Sequence, residues 1–295
     1  MKNLKAEYKP GGKNRQVILD KASLKKLAKA QKKEQKQDKS GKNNESGRLF
    51  VIDFKGSMDA HEVDRLREEV TAVLCIAEKQ DEVLVKIESG GGVVHGYGLA
   101  ASQLQRLRNA GIHLTVAIDK VAASGGYMMA CVANEIVAAP FAIVGSIGVI
   151  AQIPNFHKIL KKNDVDFEQI TAGEYKRTLT IFGENTDKGR EKFKEEIEQT
   201  HGLFKTFVSE QRPSLDIDTV ATGEHWFATQ AFDKGLVDKI DTSDDILLSQ
   251  AKERQIYKVK YRIKKNLSDK LAVGLSSGVS KAGVSLMSRF KGLNP

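Results

Sequence analysis

Between Leu49 and Ile240 the apolar residues fall into short runs of strand length, separated by stretches with helical spacing. Leu49–Phe54, Val83–Ile87, Leu114–Ile118 and Ile136–Ala138 read as strands. Asp59–Ala77 places Val63, Leu66, Val70, Val73 and Leu74 on one helical face, and Gly96–Asn109 reads as a second helix. Further along, the pattern predicts a short helix over Gly126–Ala133, a strand over Val144–Ile150, a helix over Asn155–Lys161 and a strand over Asp166–Thr171. A long charged helix over Thr186–Glu210, a short one over Ala228–Lys234 and a last strand over Leu236–Ile240 complete the series. Strands alternating with helices predict an α/β domain with mostly parallel pairing, because parallel neighbours need crossover connections. In such a sheet, ligands sit at the carboxyl ends of the strands.

One run invites a different reading. Residues 136–154 hold no charge over nineteen positions, which is long enough in principle to span a bilayer. Pro140, Gly145, Ser146 and Gly148 cut it into pieces of strand length, so buried strands are expected instead. Residues 1–48 are rich in Lys, Gln and Asn and predict a polar tail, with at most a solvated helix over Ser23–Lys36. Met1–Lys5 is followed by polar residues rather than the apolar stretch of a signal peptide. The pattern thus divides the chain into a tail (1–48), a folded body (49–250) and an extension (251–295).

Charge sharpens that division. The chain carries +9 over its 295 residues, residues 1–50 hold +10 and residues 252–295 hold +9, which leaves −10 on the body between them. An acidic body with two basic ends argues against nucleic acid as its substrate, since phosphate binding needs a clustered positive face. In Leu267–Phe290, Leu267, Leu271, Leu275, Val279, Leu286 and Phe290 recur at spacings near four among lysines and an arginine. That suits an amphipathic helix on an anionic membrane, although Gly274, Gly278 and Gly283 weaken it. A subunit contact and a loose tail remain open for the segment. The two cysteines, Cys75 and Cys131, lie among apolar neighbours and read as core thiols.

The most informative chemistry lies in Val121–Ala130, VAASGGYMMA, where Ser124 follows an apolar run and precedes a Gly-Gly pair. Such a strand-to-helix turn presents a hydroxyl, with Gly125 and Gly126 expected to tolerate unusual backbone angles and to clear space. A helix starting there would aim free N–H groups at anything reacting with Ser124. A second turn of this kind, Ser89-Gly90-Gly91-Gly92, follows Val83–Ile87. Two glycine-rich turns at strand ends suggest paired amides beside a nucleophile. A serine needs a base. None of His61, His95, His113, His157, His201 and His225 sits in a relay motif, and only His95 lies near a glycine turn. A desolvated lysine can serve instead, and Lys176 follows the turn Thr171-Ala172-Gly173.

Four segments in order, ESGGGVVHGYG, KVAASGGYMMACVAN, FAIVGSIGVI and TAGEYKRTLTIFGENT, resemble the signal-peptide-peptidase A family of serine proteases, most of all its SohB branch. The resemblance covers about Leu49 to Asp241. It implies a Clp-protease/crotonase-like fold of stacked ββα units and a Ser-Lys dyad. By motif, Ser124 is the nucleophile, Lys176 the general base and Ser146 the residue that orients the lysine amine. Gly91 and Gly125 supply the oxyanion hole, with Gly92 a substitute for Gly91. The resemblance also implies ring-like homo-oligomers, peptide substrates and a place at the bacterial inner membrane, with an N-terminal anchor that residues 1–48 do not supply. One departure is Gly90, where the family usually has proline; glycine loosens that turn by about 1 kcal/mol.

Two other functions fit parts of this pattern. Paired amides would serve a thioester enolate in a crotonase-like acyl-CoA enzyme, which leaves Ser124 and Lys176 together without a role. A membrane-associated scaffold of the same fold, slow or without turnover, is compatible with Gly90. No metal-ligand cluster, phosphate loop or nucleotide fingerprint stands out in the sequence, so no cofactor is implied.

Overall fold

A computed structural model describes residues 47–261; the basic tail, its Ser23–Lys36 segment and the Leu267–Phe290 stretch lie outside the described residues. The apolar runs form strands β1 (Arg48–Lys55), β2 (Glu82–Glu88), β3 (His113–Ile118) and β5 (Glu135–Ala138), after a short β4 (Val121–Ala123). These are joined by helices α1 (Val63–Leu74), α2 (Val94–Asn109) and α3 (Gly125–Ala130). Beyond them come β6 (Ile143–Gly145), α4 (His157–Lys162), α5 (Asp187–Gln211), α6 (Ile217–Val220) and β7 (His225–Phe227). The order closes with α7 (Ala228–Asp233), β8 (Lys239–Ile240), α8 (Ser243–Gln250) and β9 (Gln255–Val259).

Two sheets result. The larger is parallel throughout, in the order β8-β5-β3-β2-β1-β9. The smaller runs β4-β6-β7, with β4 and β6 parallel and β7 antiparallel. The domain is α/β with a mostly parallel sheet and crossover helices, as the alternation predicts. Central strands read as continuous apolar runs because both faces are covered. Phe50, Ile52, Val83, Val85, Leu114 and Val116 join the main core with α1 and α2, while Leu49, Val51, Leu84 and Ala117 face Ile246 and Leu247 of α8. Helix α2 buries Tyr97, Ala100, Leu104 and Leu107 at three- and four-residue steps. Each large side chain of this kind contributes about 1.5–3 kcal/mol.

Several expectations need correction. Asp166–Thr171 forms no strand, and Val144–Ile150 is a strand only through Gly145. The uncharged run from Ile136 breaks into β5 and β6, and no helix among the described residues is long and apolar enough to cross a membrane. Strand β9 pairs in parallel with β1 inside the stretch that charge alone assigns to the basic extension. Cys131 is buried, and burial pushes its thiol above the usual range, whereas Cys75 is exposed rather than a core thiol.

The chain between Gly148 and Leu203 contains no buried residue. It packs on itself: Phe182 lies 6.2 Å from Phe156 and 5.7 Å from Phe167, and the Asn155 amide donates to the carbonyls of Thr180 and Gly183. Helix α5 joins this arm to the core. Its end buries Phe204 and Val208, and Arg212 donates to both carboxylate oxygens of Asp238 at 2.7 and 2.6 Å and to the Gly235 carbonyl at 2.9 Å. Asp238 also accepts from the Ile136 N–H at 2.7 Å, so one carboxylate ties α5 to β5.

Arg212→Ala is expected to lower stability by about 2–3 kcal/mol, less than for a fully buried pair because Asp238 is partly solvated. A urea unfolding midpoint measures the loss; a shift under about 0.5 kcal/mol, as at an ordinary surface site, would mean the tie is not used.

Candidate active site

Ser124 stands between β4 and α3, half-buried, with φ 51° and ψ −119°. Such a backbone costs a non-glycine residue about 1–3 kcal/mol and persists only when its surroundings impose it. Here they do. The Ser124 N–H donates to the Gly145 carbonyl at 2.8 Å, and its carbonyl accepts from Met128 at 2.9 Å, so strand β6 and the first turn of α3 grip it from both sides. The hydroxyl itself makes no hydrogen bond among the described residues.

The glycines after Ser124 serve close approach rather than unusual angles, since neither has positive φ. A Cβ on Gly125 would run into the ring of Tyr97, meeting its Cβ at 2.7 Å and its Cγ closer still. On Gly126 it would lie 2.5 Å from the Ser89 carbonyl. The unusual angle falls on Ser124 itself.

The first glycine turn is stitched to the nucleophile turn. Ser89 N–H donates to Val121 at 2.9 Å, and Ala123 N–H donates to Ser89 at 3.0 Å, extending β2 alongside β4. Gly91, at φ 89°, then lies directly against Ser124: a Cβ there would sit 2.8 Å from Ser124 Cβ and 2.7 Å from the Gly125 nitrogen. Only glycine fits that space and that angle. Its N–H, however, donates to the Ser89 hydroxyl at 3.1 Å, while the N–H groups of Gly92 and Gly125 have no partner among the described residues. Gly90 is exposed and has nothing within 4 Å of a Cβ position, so the turn leaves room for a larger residue where this chain has glycine.

Ser146 follows β6 and is half-buried at φ 52°, its N–H donating to Glu224 at 2.6 Å. The register Ala123↔Gly145 sets Ser146 and Ser124 next to each other at the ends of adjacent parallel strands. No hydrogen bond joins their side chains.

Lys176 is placed differently. It is exposed on the arm, its N–H bonded to Gly173 at 3.2 Å, and it lines a shallow hollow of about 460 Å³ with Gln169, Ile170, Thr171, Ala172 and Arg177. No hydrogen bond or ion pair links it to Ser124 or Ser146. Its neighbours are held firmly on α5: Glu174 pairs with Lys188 at 2.5 Å, and the Tyr175 ring lies under the ammonium groups of Lys188 (5.8 Å) and Lys192 (5.3 Å). The pairing with Lys188 holds the Glu174 carboxyl below the usual carboxylate range. Ser124, Gly125, Gly91 and Ser146 are therefore brought together, and Lys176 is not. His95 is exposed on α2, without a partner among the described residues, and His201 is taken up by the Ile147 carbonyl at 3.2 Å.

Two residues of the site escaped the pattern. Ser89 and Tyr97 connect the two turns, and a signal for them was present: a serine opening the glycine run, and a tyrosine on the buried face of the following helix.

The profile of peptidase family S49 matches residues 106–257, and that of the S49 N-terminal region matches residues 1–104. A probable protease SohB of Haemophilus influenzae is 62% identical over 222 residues, 75% of this chain and 63% of that protein. A second, from Buchnera aphidicola, is 58% identical over 240 residues, 81% of this chain and 71% of that protein. Protease 4 of H. influenzae is 26% identical over 210 residues, 68% of this chain and 34% of that protein. The chain spans about two thirds of the length of its SohB relatives. Among solved structures, a mutant of the membrane-bound stomatin-specific protease 1510-N aligns over 74% of this chain and 99% of that chain at 12% identity, with a TM-score of 0.49. The S49 profile covers more than half of the sequence, and the two glycine turns that frame Ser124 fall within the matched regions: the chain belongs to peptidase family S49.

Proposed function

We propose that the chain is a serine endopeptidase in which Ser124 attacks the substrate carbonyl and Lys176 accepts its proton. One observation carries the reading: a serine hydroxyl without a hydrogen bond among the described residues, on a backbone at φ 51°, with the backbone of Gly91 packed against it. A strained, accessible hydroxyl beside close-packed amides has no use in holding the fold together and is what acyl transfer requires. As the Ser124 Oγ–carbonyl bond forms, charge develops on the carbonyl oxygen. The free N–H of Gly125 and one from the Gly91–Gly92 turn would receive it. The proton held on Lys176 then leaves with the amine, and water releases the acyl group from Ser124.

The Lys176 amine must travel to Ser124, or meet that of another copy, and the surface favours assembly. The arm exposes Ile150, Phe156, Ile170 and Phe182, apolar side chains that a second copy could cover. A homo-oligomer, ring-like as the family resemblance implies, would cover them. Ser146, beside Ser124, would then orient the incoming amine. The basic ends around an acidic body fit attachment to an anionic membrane. With the family resemblance, that supports a site of action at the bacterial inner membrane, on unfolded or membrane-derived peptides.

A scaffold that keeps the fold without turnover is favoured by one feature, the commitment of the Gly91 N–H to Ser89. Hydrolysis of an unfolded protein such as casein by the full chain separates the two. The peptidase reading expects cleavage that a peptide aldehyde blocks. Intact substrate at every pH from neutral to mildly alkaline would leave the scaffold.

A further inference from the structure

Between the two glycine turns stands one side chain that no part of the mechanism above uses. Tyr97 is fully buried on α2. Its ring fills the space beside Gly125, so closely that any Cβ there would collide with it. Its hydroxyl donates to the Ser57 carbonyl at 2.8 Å and lies 2.5 Å from the hydroxyl of Ser89, itself buried. Ser89 in turn accepts from the Gly91 N–H.

The proton directions follow from counting donors. A tyrosine hydroxyl has one hydrogen, and the Ser57 carbonyl can only accept, so that hydrogen is spent there. Ser89 must then donate to the Tyr97 oxygen, which leaves its lone pairs for Gly91. The chain runs one way, from Gly91 N–H to Ser89 to Tyr97 to the Ser57 carbonyl. Burial pushes the Tyr97 hydroxyl above its ordinary range, so it keeps its proton throughout the working pH range. Bonds aligned in this way polarise and stiffen one another.

We propose that Tyr97 is a positioning residue of the hydrolytic site: its ring seats the Ser124–Gly125 turn while its hydroxyl, through Ser89, fixes Gly91 opposite it. The inference rests on the peptidase reading and deepens it. It also gives this chain's Gly90 a consequence. A glycine there leaves the first turn loose, and the Ser89 hydroxyl supplies from below the restraint that the chain itself does not. In the resting site the bond holds the backbone of Gly91 against Ser124, so that Gly92 and Gly125 present their free N–H groups from a fixed stance.

The test uses the full chain and separates placement from folding. Tyr97→Phe keeps the ring against Gly125 and removes only the hydroxyl. The expected result is a fall in kcat of about 10- to 100-fold, the scale of a small misplacement of reacting groups, with KM changed less than about twofold. Ser89→Ala breaks the same chain one link away and should lower kcat by a similar factor. The double variant should be no slower than the worse single one, because a chain is broken only once. Wild-type kcat in Tyr97→Phe, or losses that multiply in the double variant, would overturn the proposal. Should Tyr97→Phe fold poorly, Ser89→Ala alone decides on the same kcat and KM criteria. A wild-type chain that neither cleaves peptide nor reacts with a fluorophosphonate would remove the peptidase reading and this one with it, whereas an active wild type with an equally fast Tyr97→Phe removes only this one.

Discussion

Lys176→Ala should reduce peptide turnover by about 10³-fold or more while leaving the unfolding midpoint unchanged. The second half of that expectation comes from the structure. Lys176 is exposed, and its amine has no hydrogen bond or ion pair among the described residues. Truncating such a side chain ordinarily changes stability by less than about 0.5 kcal/mol. The first half comes from chemistry, since a serine hydroxyl is a weak nucleophile until a base removes its proton, and such transfer contributes about 10²–10⁴ in rate. A bystander on the arm would change neither quantity. Steady-state kinetics on the variant, with thermal melts as control, distinguish the two, and activity within about twofold of wild type would end the dyad.

Ser124→Ala should go further, by a factor on the order of 10⁴–10⁶, because nothing else at that position can form the acyl-enzyme. The hydroxyl makes no hydrogen bond among the described residues that its loss would break, so the alanine variant should melt with the wild type. Ser124→Gly adds a second readout. Glycine occupies positive φ readily, so relieving the backbone at φ 51° should raise stability by about 1–2 kcal/mol while abolishing turnover. Stability gained as activity is lost marks a residue held in place for chemistry. A glycine variant no more stable than wild type would mean that the turn stores no strain.

How far the sequence discloses this arrangement depends on the length and burial of each part. The runs that became β1, β2 and β3 are long, apolar and buried on both faces, and α2 carries its core contacts at regular helical steps. Both kinds of signal survive without tertiary context. The strands that build the smaller sheet, β4, β6 and β7, have three residues each and no period to read. The tilt of Ser124 comes from them, through the Gly145 carbonyl. Strand β9 reads QIYKV amid basic residues and becomes a strand because β1 offers it an open edge. The arm differs again. Asp166–Thr171 carries only two apolar residues, Phe167 and Ile170, three positions apart, so no period-2 face supports a strand; no strand among the described residues pairs with it, and the segment stays irregular and exposed. For the site, the glycine turns made the vicinity of Ser124, Gly91 and Gly125 legible, since Gly91, Gly92, Gly125 and Gly126 each mark a close approach that a Cβ would prevent. The tie through Ser89 and Tyr97 was not, because it depends on a buried hydroxyl on α2 reaching back eight residues.

The most direct measurement is the position of a covalent label. The full chain, treated with a fluorophosphonate and digested, should carry one phosphonyl group on the peptide containing Ser124, with labelling slowed strongly in Lys176→Ala. A label on another residue, or an unlabelled chain that still cleaves peptide, would contradict the assignment of Ser124 as the nucleophile.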